Sequence, residues 1–299
     1  MRKIVYQVGI LGALIGLAGL SSQARPTHII ATGESNSVGT TYEYDVARPS
    51  DRQRILDGFS AVADKPLAKA NSTLIGGIAP HHFPTALPVL VDFYRQLAVT
   101  QSPELIIIIG PDHRSKAVAN IVTTDGTFFT PFGPATPAKS VAEALVANSQ
   151  LTFDRTIFAD EHSIGVHIPF IQYLFPGVPI LPILVHPHAT SAETTELGTY
   201  LENFTPPNTL MIASVDFSHY LPADQARLID NVSAETLRQF THRSVAKIVA
   251  DSPQSLAAVA AFAQARAAQE FTIGTVANSA DFTNLPDITT GYVMGWFSQ

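Results

Sequence analysis

The fold is decided by Leu105-Ile106-Ile107-Ile108-Ile109-Gly110-Pro111-Asp112-His113, a run of large apolar residues that leads directly into a polar loop. Consecutive isoleucines favour a β-strand. Because the run has no polar alternation, it predicts a parallel strand that is buried on both faces. Three similar runs occur elsewhere in the chain, at residues 74–78, 180–185 and 209–214.

Segments with the apolar spacing of helices separate these runs, and two further strand-like segments close the chain. Short buried strands that alternate with helices predict a three-layer α/β/α fold with a mostly parallel, mixed central sheet. The two closing strands are expected to add an antiparallel edge, and Asp125-Gly126 is expected to form a turn. The predicted helices are 52–70 (interrupted at Pro66), 84–98, 138–147, 193–204, 223–240 and 255–268, and the closing strands are 271–276 and 289–297.

The composition excludes several classes of function. The formal charge is −7, with only 18 Lys and Arg among 299 residues, so a nucleic-acid partner is not expected. The chain has no cysteine, which removes disulfides, thiolate ligands and lipoprotein anchoring. Any bound metal must therefore be held by imidazole, carboxylate, carbonyl or water.

The N-terminus has the pattern of an export signal. Arg2 and Lys3 precede the uncharged apolar stretch 4–20, and Ser22-Gln23-Ala24 supplies small residues for cleavage. Residues 1–24 are therefore predicted to be a signal peptide, or a membrane anchor through residues 4–20. Residues 25–72 are interpreted as an N-terminal extension and residues 73–299 as one α/β domain. The protein is expected to be extracytoplasmic, and to touch the membrane only through such an anchor.

The placement of the ten histidines is the main functional signal. Each of the four buried runs is followed at once by a loop that carries one or two of them. In a parallel sheet the carboxyl ends of the strands lie along one edge, and ligands bind in the crevice there. Neutral imidazole is a frequent ligand of iron, zinc and copper. The histidines of these loops are His81 and His82, His113, His186 and His188, and His219.

Further titratable residues lie near these loops. Glu161 and His162 precede an apolar stretch, whereas His167 is interpreted as a packed, structural histidine. Asp216 lies three residues before His219 and is either a metal ligand, a carboxylate that orients an imidazole, or a helix N-cap. The sequence contains neither a Gly-x-Ser-x-Gly elbow nor a His-Glu-x-x-His zinc motif.

Five segments together resemble motifs of the MEMO-like family, whose bacterial members are called AmmeMemoRadiSam system protein B. The resemblance extends from about Leu74 to the C-terminus. That family is itself similar to the class III extradiol dioxygenases (LigB-like), which have an α/β fold and a non-haem iron. The matching segments are Ile78-Ala79-Pro80-His81, Gly110-Pro111-Asp112-His113, Thr130-Pro131-Phe132-Gly133, Glu161-His162-Ser163-Ile164 and Ser214-Val215-Asp216-Phe217-Ser218-His219.

The resemblance implies that His81 and His113 are the first two metal ligands. At the third position some members have a cysteine and the dioxygenases a glutamate, and the family register puts Asp251 near it. N-capping of the helix that begins at Pro253 is the alternative interpretation of Asp251, and it is the one that the local sequence favours. The implied cofactor is a divalent metal, foremost Fe(II), with zinc or copper as alternatives. For an enzyme at this site, His162, His219, Asp216 and Glu161 are the candidate catalytic residues, with His162 or His219 expected to move protons.

The chain also departs from the family pattern. His82-Phe83-Pro84 replaces the usual Ala-Gly-Tyr after the first histidine, and Asp112-His113-Arg114 replaces Ser-His-His. Gly165 stands where a glutamate usually follows Glu-His-Ser-Ile. These changes concern the surroundings of the expected ligands, so they affect the choice of substrate more than metal binding.

The leading hypothesis is a metal-dependent enzyme, a non-haem iron oxidoreductase of the dioxygenase-like kind that acts on a small molecule. A metal-dependent hydrolase is the first alternative. A non-catalytic protein that binds a ligand or peptide in the same pocket is the second. The presence of Glu161, Asp216 and His219 favours an enzyme, because a simple binding pocket has less need of so many titratable groups.

The export signal gives a testable prediction. Fractionation of the producing cells should recover the protein outside the cytoplasm, and N-terminal sequencing of a cleaved form should begin near Arg25. Recovery of soluble cytoplasmic protein with Met1 still attached would show that the apolar segment is not an export signal.

Overall fold

The computed structural model describes residues 42–67, 73–148, 150–239, 242–245 and 247–299. The predicted signal segment and residues 25–41 and 68–72 of the predicted extension lie outside this part of the chain. The strands are β1 Glu43–Asp45, β2 Leu74–Ala79, β3 Leu105–Pro111, β4 Ile121–Thr123, β5 Thr127–Thr130, β6 Gly133–Ala135, β7 Thr152–Phe153, β8 Ile180–Val185, β9 Thr209–Ser214, β10 His219–Leu221, β11 Glu270–Asn278 and β12 Thr289–Ser298. The helices are α1 Pro49–Ala61, α2 Leu87–Thr100, α3 Lys139–Ala147, α4 His162–Gly165, α5 Ile168–Leu174, α6 Ser191–Phe204, α7 Ala223–Arg238, α8 His242–Val245 and α9 Pro253–Ala265.

The central sheet is mixed and has nine strands, in the order β10-β12-β2-β9-β3-β8-β4-β7, with β11 also paired to β12. The four strands at its centre, β2, β9, β3 and β8, run parallel to one another. β11 and β12 pair antiparallel, and β12 joins β2 antiparallel. The expected sheet, with its antiparallel closing strands, is therefore confirmed.

The buried strands send alternate side chains into two separate cores. In β3, Ile107 and Ile109 pack into the core beneath α3, α6, α7 and α9, whereas Ile106 and Ile108 pack into the core beneath α1, α2 and α5. Each isoleucine is fully buried, and such burial stabilises the fold by roughly 1.5–3 kcal/mol per side chain. Because both faces of the strand are covered, the run is apolar at every position, and the α/β/α layering is confirmed.

The described part of the predicted extension packs onto the domain. β1 pairs with β5 in a separate three-stranded sheet, and the Tyr44 ring is buried in the second core. Helix α1 begins at Pro49, earlier than the expected Arg52, because proline fits the first helical position and the Asp51 carboxylate accepts from the backbone N–H of Arg48. The helix ends at Ala61, well before Pro66.

The turn at Asp125-Gly126 does not close a hairpin. β4, before it, pairs with β8 and β7 of the central sheet, whereas β5, after it, pairs with β1 and β6. The Tyr44 ring packs against Gly126, where an added Cβ atom would meet it. Within the described residues no helix has the length and hydropathy needed to span a bilayer.

Candidate metal centre

Three neighbouring strands place the centre of the site. β9 lies between β2 and β3 and runs parallel to both. His81, Asp216 and His113 each follow one of these strands by two residues. The three residues therefore meet at the same edge of the sheet, and the backbone N–H of His81 donates to Asp216 Oδ1 at 3.0 Å.

The His81 imidazole is buried and faces two carboxylates. Its Nε2 atom is 3.1 Å from Asp251 Oδ2 and 3.7 Å from Asp216 Oδ2. Burial alone would lower the pKa of His81, but the Asp216 and Asp251 charges outweigh it and raise the pKa above its ordinary value. The two carboxylates thus favour positive charge at this ring, whether it comes from a proton or from a bound metal ion.

The His113 imidazole is fixed from behind by Glu161. Its Nδ1 is 2.8 Å from Glu161 Oε1, and its backbone N–H donates to Oε2 at 3.0 Å. Nε2 is 3.6 Å from Asp251 Oδ2. Against the effect of burial, the hydrogen bonds to Asp251 and Glu161 raise the pKa of His113 to about 10. Glu161 also accepts from the backbone N–H of Ser163 and so caps α4. Burial would raise the pKa of Glu161, but its hydrogen bond to His113 lowers it to about 2.

Asp251 lies between the two imidazoles and does not cap the helix that follows it. Ser252 is the N-cap of α9, where its hydroxyl accepts from the N–H of Ser255. Burial by itself would raise the pKa of Asp251, but the facing His81 and His113 lower it to about 2. Burial raises the pKa of the neighbouring Asp216, so the pKa values of these two carboxylates are shifted in opposite directions.

The donor set fits one divalent ion. Two donors that share an ion at about 2.1 Å each lie about 3.0–3.4 Å apart in octahedral or tetrahedral geometry. The Nε2 atom of His81 is 3.1 Å from Asp251 Oδ2, within this range, and that of His113 is 3.6 Å away, slightly beyond it. The second oxygen, Asp251 Oδ1, is buried without a hydrogen-bond partner among the described residues, so it retains lone pairs that a cation could use. Two imidazoles and a carboxylate suit iron or zinc.

His162 lies beside His81 and His113. Its ring stacks on His113 at 4.4 Å between centroids and is edge-on to His81 at 5.2 Å. The ligand atoms of these three histidines, and separately those of His81, Asp216 and Asp251, all lie within 4.8 Å of one another. Partial burial and the charges of His81 and His113 lower the pKa of His162 to about 4, so this ring is neutral near pH 7.

The other strand-end histidines belong to neither group of ligand atoms. His219 Nδ1 donates to the Phe217 carbonyl at 2.6 Å, which leaves the opposite nitrogen free. His186 follows β8 at the same edge of the sheet, but its Nδ1 accepts from the backbone N–H of His188. Position after a strand therefore brings a residue to the edge without directing its side chain into the cluster.

Residues 37–293 match the family described as Memo-like protein. The chain belongs to that family. The expected family is confirmed over more of the chain than the motifs suggested, because the match includes the β1–α1 segment.

Individual Memo relatives are moderately similar to the chain. MEMO1 family protein MK0963 of Methanopyrus kandleri is 35% identical over 183 residues, which cover 59% of this chain and 64% of that protein. MEMO1 family protein PAE0818 of Pyrobaculum aerophilum is 27% identical over 237 residues, or 76% and 84% of the two chains. The chain thus spans slightly less than two thirds of the first relative. The crystal structure of protein JW3007 of Escherichia coli K12 has a TM-score of 0.48 and 16% identity, and covers 73% of this chain and 99% of that one.

Two departures from the family motifs have a structural explanation in this Memo-like chain. His82 lies beside the centre and its Nδ1 is 2.6 Å from the Tyr292 hydroxyl. Gly165 packs against Val46, whose Cβ would lie 3.1 Å from any Cβ added to the glycine. A glutamate at Gly165 would therefore be crowded against Val46, in the segment between β1 and α1, unless that segment shifted by a few tenths of an ångström.

Several buried polar residues that the sequence interpretation missed hold the loops in place. The Asp112 carboxylate accepts from the backbone N–H groups of Arg114, Lys116 and Ala117, and so shapes the loop that carries His113. Asp230 accepts from the N–H and hydroxyl of Ser218, in the loop of Asp216. Asp112 could have been noticed because it follows a buried strand, but nothing local marks Asp230, which lies within α7.

His167 is fully buried, as the structural interpretation of this residue expects. Its Nδ1 is 2.8 Å from the Tyr94 hydroxyl, and its Nε2 has no hydrogen-bond partner. Burial, together with the charge of His81, lowers the pKa of His167 to about 3. The folded protein therefore keeps this ring neutral under conditions in which an unfolded chain would protonate it.

His167 predicts a loss of stability in acid. Its folded pKa of about 3 lies below the unfolded value of roughly 6.5. The stabilising effect is complete above pH 6.5 and is lost as the pH falls toward 3, by about 1.4 kcal/mol per pH unit. Urea unfolding between pH 6.5 and 4 should give a shallower decline for His167→Gln, which retains a partner for Tyr94. Equal declines in the two proteins would contradict the prediction.

Proposed function

We propose that this Memo-like protein is a non-haem iron enzyme, an oxidoreductase of the dioxygenase-like kind that acts on a small molecule. The observation that carries the proposal is the convergence of His81 Nε2 and His113 Nε2 on one oxygen of Asp251, at 3.1 and 3.6 Å. Two histidines and one carboxylate form the donor set of many Fe(II) oxygenases. In this proposal His81, His113 and Asp251 are the ligands.

A divalent iron in such a donor set supplies Lewis acidity and one-electron redox chemistry at positions open to substrate. The chain's own residues orient the proposed ligands around those positions. Glu161 holds the His113 ring by its inner nitrogen, and Asp216 holds the backbone of His81 in place. Asp216 is therefore proposed to orient the ligands, and Asp251 to bind the metal directly.

Substrate is proposed to enter beside His162, where the cluster is open. The His162 side chain is 57% exposed and that of His113 is 29% exposed, whereas His81 is buried. A neutral His162 ring in contact with His113 is suited to take a proton from a substrate hydroxyl and return it. His219, whose outer nitrogen is free, is proposed as the second group that moves protons.

The proposal predicts how metal content responds to substitution. Anaerobically purified protein should carry one iron or zinc per chain, measured by elemental analysis after loading with Fe(II) or Zn(II). Asp251→Asn and His113→Ala remove direct ligands and should abolish stoichiometric binding. Asp216→Asn removes only an orienting contact and should weaken binding by roughly 10–100-fold.

His188→Ala is the matched control, since it removes an exposed histidine at the same edge of the sheet and should leave metal content unchanged. Full metal content in His113→Ala and both aspartate variants would refute the site. If the protein binds zinc fully but the Fe(II)-loaded protein oxidises no small molecule under air, a hydrolase or a binding protein would be favoured instead.

A further inference from the structure

Two buried serines connect the loops that carry the ligands. The Ser214 hydroxyl, at the end of β9, donates to the backbone carbonyl of Ser163 at 2.5 Å. The Ser163 hydroxyl, in α4, donates to the carbonyl of Pro111 at 2.9 Å, at the end of β3. Both serines are completely buried. Gly110 leaves room for them, because a Cβ there would lie 2.9 Å from Ser163 Oγ.

The Ser214 hydroxyl also contacts the ring of His81. Ser214 Oγ is 2.9 Å from His81 Nδ1. A hydroxyl has one proton to donate, and the Ser163 carbonyl can only accept, so that proton is committed to the carbonyl. The remaining contact is favourable only if His81 Nδ1 carries a proton and donates it to Ser214 Oγ. The serine thus accepts from the imidazole and is not activated as a nucleophile.

We propose that Ser214 is a positioning residue that fixes the tautomer of His81. With the proton held on Nδ1, the lone pair available to a metal is on Nε2, the nitrogen 3.1 Å from Asp251 Oδ2. The inference rests on the proposed metal function and assigns to this side chain a role in it. Without the serine, the neutral ring could carry its proton on Nε2 and offer the wrong nitrogen.

The two ligand histidines are then oriented by different means. His113 donates through Nδ1 to the Glu161 carboxylate, which is charged, whereas His81 donates to a neutral hydroxyl. His81 already faces two carboxylates, Asp216 and Asp251. A third carboxylate behind its ring would put excess negative charge into a buried space, so a neutral acceptor suits this position.

Nuclear magnetic resonance of protein with ¹⁵N- and ¹³C-labelled histidine tests the proposal in two states. In metal-free wild type, the His81 Nδ1–H should be visible and protected from exchange with water. With Zn(II) added, the ring shifts should report coordination through Nε2. Ser214→Ala should speed exchange of that proton by at least about tenfold and weaken zinc binding by roughly 10–100-fold, as loss of an orienting partner does. Ser214→Thr, which keeps the hydroxyl, should restore most of both.

Ser233→Ala is the matched control. Ser233 is also buried and donates to a backbone carbonyl, that of Ile229, but lies in α7; its loss should change neither readout. Zinc bound through Nδ1 of His81, or a Ser214→Ala protein with wild-type exchange and affinity, would overturn the proposal. If Ser214→Ala does not fold, the wild-type protein still tests the proposal, through the exchange of the His81 Nδ1–H and the ring nitrogen that coordinates zinc. A protected Nδ1–H without any zinc binding would instead refute the metal function and support the serine's hold on the ring.

Discussion

Much of this structure depends on a carboxylate held between two imidazoles at the end of a buried sheet. A charged Asp251 with so little exposure is costly unless positive charge lies next to it. His81 and His113 supply that charge, and their raised pKa values and the lowered pKa of Asp251 are two aspects of the same interaction. In the metal-free protein protons provide the charge, and a divalent ion can replace them.

This interaction needs support that the ligands alone do not give. In the proposed metal site each imidazole has to present Nε2, so each Nδ1 needs its own partner, and the contacts available are Ser214 for His81 and Glu161 for His113. Asp251 is held through its backbone, because its N–H donates to the Asp216 carbonyl at 3.0 Å. Asp216 in turn holds the backbone of His81. The parallel strands β2, β9 and β3 bring these segments together, so the geometry of the centre depends on the sheet.

The part of the site that follows strands was predictable from the sequence. Buried runs mark β2, β3 and β9, and the geometry of a parallel sheet puts the residues after them at one edge. Asp251 was not predictable in this way, because it precedes a helix and reaches the cluster only through tertiary packing. Its position came from the family register alone. Position after a strand also predicted too many site residues. His186 lies at the same edge of the sheet, but its Nδ1 accepts from the backbone N–H of His188. Ser214 is hidden for another reason: as the last residue of a buried strand, it resembles a core position.

The most direct measurement of the central claim is anomalous diffraction at the iron or zinc absorption edge, from crystals of metal-loaded protein. We expect one strong peak in each chain, about 2.0–2.2 Å from the Nε2 atoms of His81 and His113 and from an oxygen of Asp251. A fully occupied metal elsewhere in the chain, with His81 and His113 still paired directly to Asp251, would contradict it.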